Sequence, residues 1–219
     1  RAARRRRAGG RRVPAEAAEA SAALPVVPAR SDQRDAVIGL LVEAFTDDPV
    51  VLRLGPGLTG RRLGALFAAE VTPDMLQAGT IDAVWDGGSL LGVGSWEAPR
   101  SDQEIPVGWG QRLRQALALG PRRARIVRGR LAELGALRPR TPHWYLSDLA
   151  VSGAARGRGV GSALLRSRLR RVDADRLPAY LESTTLGSRR LYTRFGFEPR
   201  GPIPGFAGTD AMAMLRPAH

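Results

Sequence analysis

The sequence predicts an α/β domain, a mixed sheet with helices on both faces. Three features predict it. An apolar run at Trp144 to Val151 leads through an Arg/Gly turn into a helical stretch from about Gly159 to Val172. A second short apolar run, Pro178 to Thr184, is followed by another helical stretch that closes at Gly196. Antiparallel pairs flank this unit: Ile81 to Trp85 with Leu90 to Trp96 through Asp86, Gly87 and Gly88, and Phe197 to Ile203 with Thr209 to Leu215.

The remaining elements follow in order. Residues 1–29 read as a disordered, Arg-rich tail, and residues 30–219 as one domain. Glu16, Glu19 and Pro25 interrupt any apolar core after the early arginines, so neither a secretory nor a twin-arginine signal is expected. Ser31 or Asp32 is placed to cap a helix running to about Phe45, with Val37, Ile38, Leu41, Val42 and Phe45 on one face. Asp48 and Pro49 begin a second, short helix. Arg61 to Glu70 and Asp74 to Ala78 are weaker helical segments. Trp109 to Leu137 reads as helical and Arg-rich, broken at Gly120 and Pro121. Ser188 is placed to cap the last helix, and Gly196 to end it in a left-handed turn.

Composition narrows the function. The 219 residues carry a formal charge of +13 and a pI near 11.6, which taken alone points to nucleic acid. All 34 basic residues are Arg, and Lys and Asn are absent, the mark of a GC-rich coding bias. Seven Arg against two Glu in residues 1–22 leave the rest of the excess spread over the body. A solvated basic surface that attracts a polyanionic cosubstrate is therefore expected, and a nucleic-acid partner is not. Without Cys and with only His143 and His219, neither a thiolate nucleophile nor a metal site is expected. No run approaches the ~18 apolar residues of a membrane span, so no membrane partner is expected and the domain is placed in the cytoplasm.

The most informative segment is the turn Arg156, Gly157, Arg158, Gly159, Val160, Gly161 and Ser162. A helix N-terminus presents unpaired N–H groups and the positive end of its dipole, and glycines let an anion come close. Arg156 and Arg158 add charge, so the turn is suited to a pyrophosphate. The spacing is that of neither the Walker loop nor the dinucleotide fingerprint.

Taken with Tyr192, Gly196 and Phe197, this motif resembles the GNAT superfamily of N-acetyltransferases. Arg156, Gly159 and Gly161 match its pyrophosphate motif, and Tyr192 with Gly196 and Phe197 match its later one. The wording His143 to Leu146, Ala179 to Ser183, Leu191 to Phe197 and Ala44 to Pro49 is similar to the puromycin N-acetyltransferase-like branch. That branch carries Asn before the last helix, where this chain has Thr185 and Ser188.

The resemblance implies a mostly antiparallel sheet with splayed central parallel strands. It implies acetyl-CoA as cosubstrate, no metal, and direct attack by an amine. Leu149, Ala150 and Val151 would pair with the pantetheine as a missing strand does. Arg156 to Ser162, Ser188 and Tyr192 complete the coenzyme set. Tyr192 is the expected general acid, since a phenol of pKa near ~10 is protonated at neutral pH. Glu182 and Asp148 are both open as the base, and His143 is expected only to open a strand. Phe45, Asp47, Asp48 and Trp96 are the acceptor-binding candidates, with Trp109 a further apolar wall and Gly201 to Gly208 a possible lid. For Asp48 a helix cap, and for the aromatics core packing, are the competing roles. A small-molecule amine is the expected acceptor, with a protein N-terminus or lysine as the alternative; a homodimer is left open.

Overall fold

The structure, a computed structural model, describes residues 24–99 and 119–219, apart from residue 56. Trp109 and most of the segment before Gly120 lie outside them.

Seven strands form one sheet in the order β1-β2-β3-β4-β5-β7-β6. They are β1 (Val26–Pro28), β2 (Ile81–Asp86), β3 (Ser89–Glu97), β4 (Trp144–Val151), β5 (Ala179–Ser183), β6 (Glu198–Pro202) and β7 (Met212–Arg216). Only β4 and β5 run parallel. Strand β1 falls within the segment read from sequence as tail. Its three residues are too few to show alternation, but each pairs with β2.

Alternation along the strands sends side chains to two different cores. On one face Ile81, Ala83, Val93, Ala150, Tyr180 and Ala213 pack under α1 (Arg34–Phe45), α2 (Pro49–Leu54), α3 (Arg61–Glu70), α4 (Pro73–Gln77) and α5 (Pro121–Leu134). On the other face Trp96, Trp144, Leu146, Leu181 and Met214 meet α6 (Val160–Ala174) and α7 (Leu186–Thr193). Helices therefore cover both faces, as the element order predicts.

The helix starts show local chemistry at work. The Asp48 side chain accepts from the N–H groups of Val50 and Val51, with Pro49 at the first helical position, so the cap role holds. Two cap assignments change. Ser31 to Gln33 form a tight 3-10 turn ahead of α1, and neither Ser31 nor Asp32 caps the helix; Asp32 pairs with Arg30 instead. Thr185, not Ser188, caps α7, and Ser188 answers from the third helical position in a reciprocal capping box. Gly196 closes α7 at φ +83°, as its position predicts.

Helix α6 lies close on the sheet because two glycines leave room. A Cβ at Gly92 of β3 would sit 2.5 Å from Val160 Cγ1, and one at Gly161 would sit 3.3 Å from Leu191 Cδ2. A buried ion pair then locks the helix in place. Arg168 of α6 donates from Nε and Nη2 to both oxygens of Asp82 on β2, at 2.9 and 2.8 Å, and from Nη2 to the Gly79 carbonyl. Burial pushes the Asp82 carboxyl up despite this partner, so removing the cation leaves a costly charge behind. Arg168→Ala is expected to destabilise the domain by roughly 3–5 kcal/mol, read as a lowered urea midpoint at unchanged slope.

Candidate active site

The site begins where two neighbouring strands part. Strands β4 and β5 are in register only at Trp144 with Ala179, Tyr145 with Tyr180, and Leu146 with Leu181. Beyond Leu146, β4 stays paired with β3 as far as Val151, but the register slips: Trp96 faces Leu146 and Ser95 faces Asp148. Ser147 is thus the extra residue of a bulge, which bends its strand and raises its twist. The β5 side of β4 is left without a strand partner over residues 147–151. The N–H of Ser152 donates to the Leu91 carbonyl on β3. Because peptide groups alternate sides along a strand, those of Leu149 and Val151 face the open side, and those of Ala150 face β3.

Past Val151 the chain turns at Gly153, whose N–H donates to Glu43 Oε1 of α1 at 2.9 Å. The turn carries Gly157 at φ +78° and Gly159 at φ +81°, where side chains strain the backbone. A Cβ at either meets nothing within 4 Å, so the space before α6 is open. Gly159 caps α6 without any side-chain hydrogen bond from the described residues. The first N–H groups of Val160, Gly161 and Ser162 therefore point into that space. Arg156 and Arg158 stand exposed beside them, Arg158 pairing with Asp86 at 3.3 Å. Gly161 has a packing duty as well: a Cβ there would crowd Leu191, so the glycine lets α6 approach α7. Ser188 is engaged by the α7 cap, on its own hydroxyl as well as its N–H.

On the α1–α5 face the parting exposes a carboxylate cleft. Asp148 follows the bulge on β4, Glu182 lies on β5, Glu97 ends β3, and Glu70 ends α3. Burial pushes Asp148 up to about 6 while the Ser147 hydroxyl beside it holds it down. Burial pushes Glu182 up to about 7 against the hydrogen bond from Tyr145, whose hydroxyl donates to Glu182 Oε2 at 2.8 Å. Burial, then the charges of Asp148 and Glu97, hold the Glu70 carboxyl well above the usual range. Against these acids stands Arg138, which donates to Glu97 at 2.8 Å and lies 3.7 Å over the Tyr145 ring.

Tyr192 of α7 is buried against Phe197, ring centroids 6.0 Å apart. Burial, then the charges of Asp148 and Asp48, push its phenol up, so Tyr192 lies within electrostatic reach of Asp148. Tyr192 belongs to the core of the α6–α7 face, the face opposite the carboxylates, and feels the Asp148 charge from there. His143 accepts at Nε2 from Arg138 Nε (3.1 Å) and donates from Nδ1 to the Thr141 carbonyl (2.7 Å). That places it as a neutral imidazole at the mouth of β4, and burial lowers its pKa.

Other candidates are placed elsewhere. Trp96 is 1% exposed in the core of the opposite face, out of an acceptor's reach. Phe45 packs on Phe67 at 5.6 Å, Asp48 is held by its cap, and Asp47 is exposed. The Gly201 to Gly208 loop is anchored by buried Ile203 and Phe206 and by Arg53 and Arg130, which donate to the carbonyls of Ala207 and Gly205. These contacts tie it to α2 and α5. Glu70, Glu97, Arg138, Tyr145 and Tyr180 were not legible as site residues, because they converge from elements far apart in sequence. Alternation along Trp144 to Asp148 could have flagged Tyr145 alone. No group of metal-ligating side chains occurs among the described residues.

Comparisons with known proteins agree with this geometry. The acetyltransferase (GNAT) family model matches residues 77–197, the stretch that holds the bulge, the turn and Tyr192. An N-acetyltransferase of Schizosaccharomyces pombe, itself uncharacterised, is 30% identical over 170 residues, 72% of this chain and 67% of that protein. A crystal structure described as histone acetyltransferase HPA2 and related acetyltransferase, from Corynebacterium glutamicum, is 34% identical with a TM-score of 0.67, covering 89% of this chain and 96% of that one. A mosquito arylalkylamine N-acetyltransferase-like protein shares the fold at 14% identity and TM-score 0.61, over 88% and 98% of the two chains. A match over more than half the chain, a mostly antiparallel sheet parted at β4 and β5, and an uncapped Arg/Gly turn together make this an acyltransferase belonging to the GNAT acetyltransferase family.

Proposed function

We propose that the chain transfers an acetyl group from acetyl-CoA, the cosubstrate its family uses, to a primary amine of a small molecule by direct attack. The observation that carries the reading is Asp148: it follows the bulge, adjoins the open edge of β4, and its charge reaches Tyr192 on the other face of the sheet. Direct attack needs one group to receive a proton and one to give it, and Asp148 and Tyr192 supply them from the two faces of the parted sheet.

The main-chain edge at Leu149 and Val151 pairs with the pantetheine amides, as an added strand would. Ala150 holds that edge in place through β3. The N–H groups of Val160, Gly161 and Ser162, with Arg156 and Arg158, hold the pyrophosphate. Asp148 takes the proton of the amine as its nitrogen bonds to the acetyl carbon. Tyr192 donates to the sulfur as the C–S bond breaks, leaving amide and free thiol. Glu182 lines the acceptor's path instead of acting as the base, because its Oε2 is bound by Tyr145 and it is not among the groups that reach Tyr192.

An acid-lined site favours a small cationic amine. The likeness of His143 to Leu146 and Leu191 to Phe197 to the puromycin branch keeps antibiotic modification in a cytoplasmic setting within the proposal. A protein acceptor is the second reading, favoured by the description of the Corynebacterium relative as a histone acetyltransferase.

Thiol release from acetyl-CoA across a panel of amines tests the activity. Asp148→Asn is expected to lower kcat roughly 10²–10⁴-fold. Because Asp148 must be ionised to accept a proton, kcat/KM should rise with pH through a midpoint of about 6, and this limb should vanish in the variant. Gly159→Asp is expected to weaken acetyl-CoA binding, measured by calorimetry, with equal affinity overturning the role of the turn. Tyr145→Phe removes a hydrogen bond that favours the charged carboxylate, so the Glu182 carboxyl should titrate above about 7 by carbon NMR.

A further inference from the structure

The cleft gathers more carboxyl groups than one ammonium group answers, and a bound cation would draw the raised ones into their charged forms. Glu70, Glu97, Asp148 and Glu182 arrive from α3, β3, β4 and β5. Among the described residues the only guanidinium paired with any of them is that of Arg138, and it is engaged by Glu97. No ion pair within the described residues reaches Glu70, Asp148 or Glu182.

A second, independent observation marks where the unanswered charge wants a partner. Glu182 Oε1, the Tyr180 hydroxyl and Ser95 Oγ are buried without a well-formed hydrogen bond among the described residues, although Tyr180 lies close enough to Glu182 for its hydroxyl to hold that carboxyl down. Strand alternation puts all three on the face of the cleft, with Tyr180 in the row Glu97, Tyr145, Tyr180 across three adjacent strands. Buried polar atoms are nearly always paired, so orphans gathered on one face call for a ligand. Oxygen acceptors beside a carboxylate suit a cationic N–H donor. Glu182 is half-buried as a whole, so its side chain borders the cleft, and a rotamer change brings Oε1 to a bound cation.

We propose that the acceptor is an amine with a second cationic nitrogen: one nitrogen reacts beside Asp148, and the other is held by Glu182 Oε1 and the Tyr180 hydroxyl, with Glu70 completing the acidic wall. This rests on the reading of the cleft as the acceptor site. The chemical class is a linear di- or polyamine, or an aminoguanidine of similar length. Glu182 and Tyr180 are binding residues for the group that does not react; the bonds made and broken are those of the acetyl transfer above.

The test compares a four-carbon straight-chain diamine with the four-carbon monoamine in thiol-release kinetics, with acetyl-CoA binding measured separately by calorimetry. The diamine is expected to have a kcat/KM at least about tenfold higher, mostly through KM. In Glu182→Gln and Tyr180→Phe that preference should shrink towards one, and the two variants report on the same pocket should either fold poorly. Equal kcat/KM for diamine and monoamine in the wild-type protein, with acetyl-CoA bound, overturns the second-cation site and leaves acetyl transfer standing. Preference for a lysine-bearing peptide over both amines overturns it as well. No acetyl-CoA binding overturns the underlying reading of the site.

Discussion

The extra residue at Ser147 is the constraint from which the rest of the site follows. One added residue on β4 lets that strand keep its pairing with β3 while turning away from β5. Three consequences arise together. Peptide groups at Leu149 and Val151 lose a strand partner within a sheet that otherwise pairs its backbone, which makes them a binding edge. The gap is lined on one face by Asp148 and Glu182, the acids just beyond the last paired rows. The end of β4 is carried to the Arg/Gly turn, so the free edge leads straight to the uncapped start of α6.

Opening a sheet at its centre is costly, and the surrounding packing bears that cost. Below the gap α6 is held tight to β2 and β3 by the absent side chain at Gly92 and by the Arg168–Asp82 pair. Above it, Arg138 lies on the Tyr145 ring and Tyr145 bonds to Glu182, so one cation organises both a tyrosine and a carboxylate across three strands. Tyr145 and Tyr180 stack with centroids 6.1 Å apart, and His143 meets Tyr180 edge-on. The aromatic row keeps β4 and β5 together until the bulge and makes the parting abrupt.

The sequence was legible where a function is local and opaque where it is assembled. The turn from Arg156 to Ser162 could be read because its residues act through their own backbone, and Asp48 because a cap reaches only two or three residues ahead. Thr185 and Ser188 show the limit even there, since both residues suit a cap and only the backbone at Thr185, φ −137°, separates them. Gly161 was legible as part of the motif but not as a packing residue: its neighbour Leu191 lies thirty positions on, and no spacing rule connects the two. Trp96 failed for a related reason. Alternation in β3 assigns it to the face opposite Glu97, but which face carries the cleft depends on where α3 and α6 pack. Glu70 was hidden most deeply, a helix-end acid that looks like any solvated one until β4 lies against it.

The protonation states in the cleft explain why geometry has to be this tight. An alkylamine of pKa near ~10 cannot give its proton outright to a carboxyl at about 6, nor does a phenol pushed above its usual ~10 readily protonate a thiolate near ~8.5. Each transfer becomes favourable only while the bonds change: nitrogen turns acidic as it bonds to carbon, and sulfur turns basic as it leaves. The proposed roles of Asp148 and Tyr192 therefore require both to be in hydrogen-bond reach at that moment, because neither attracts or releases a proton strongly beforehand. Acidic residues next to the reacting nitrogen would also hold it as the unreactive ammonium. Tyr145 bonds to Glu182 and Arg138 pairs with Glu97, so two of the acids around Asp148 already have a partner of their own.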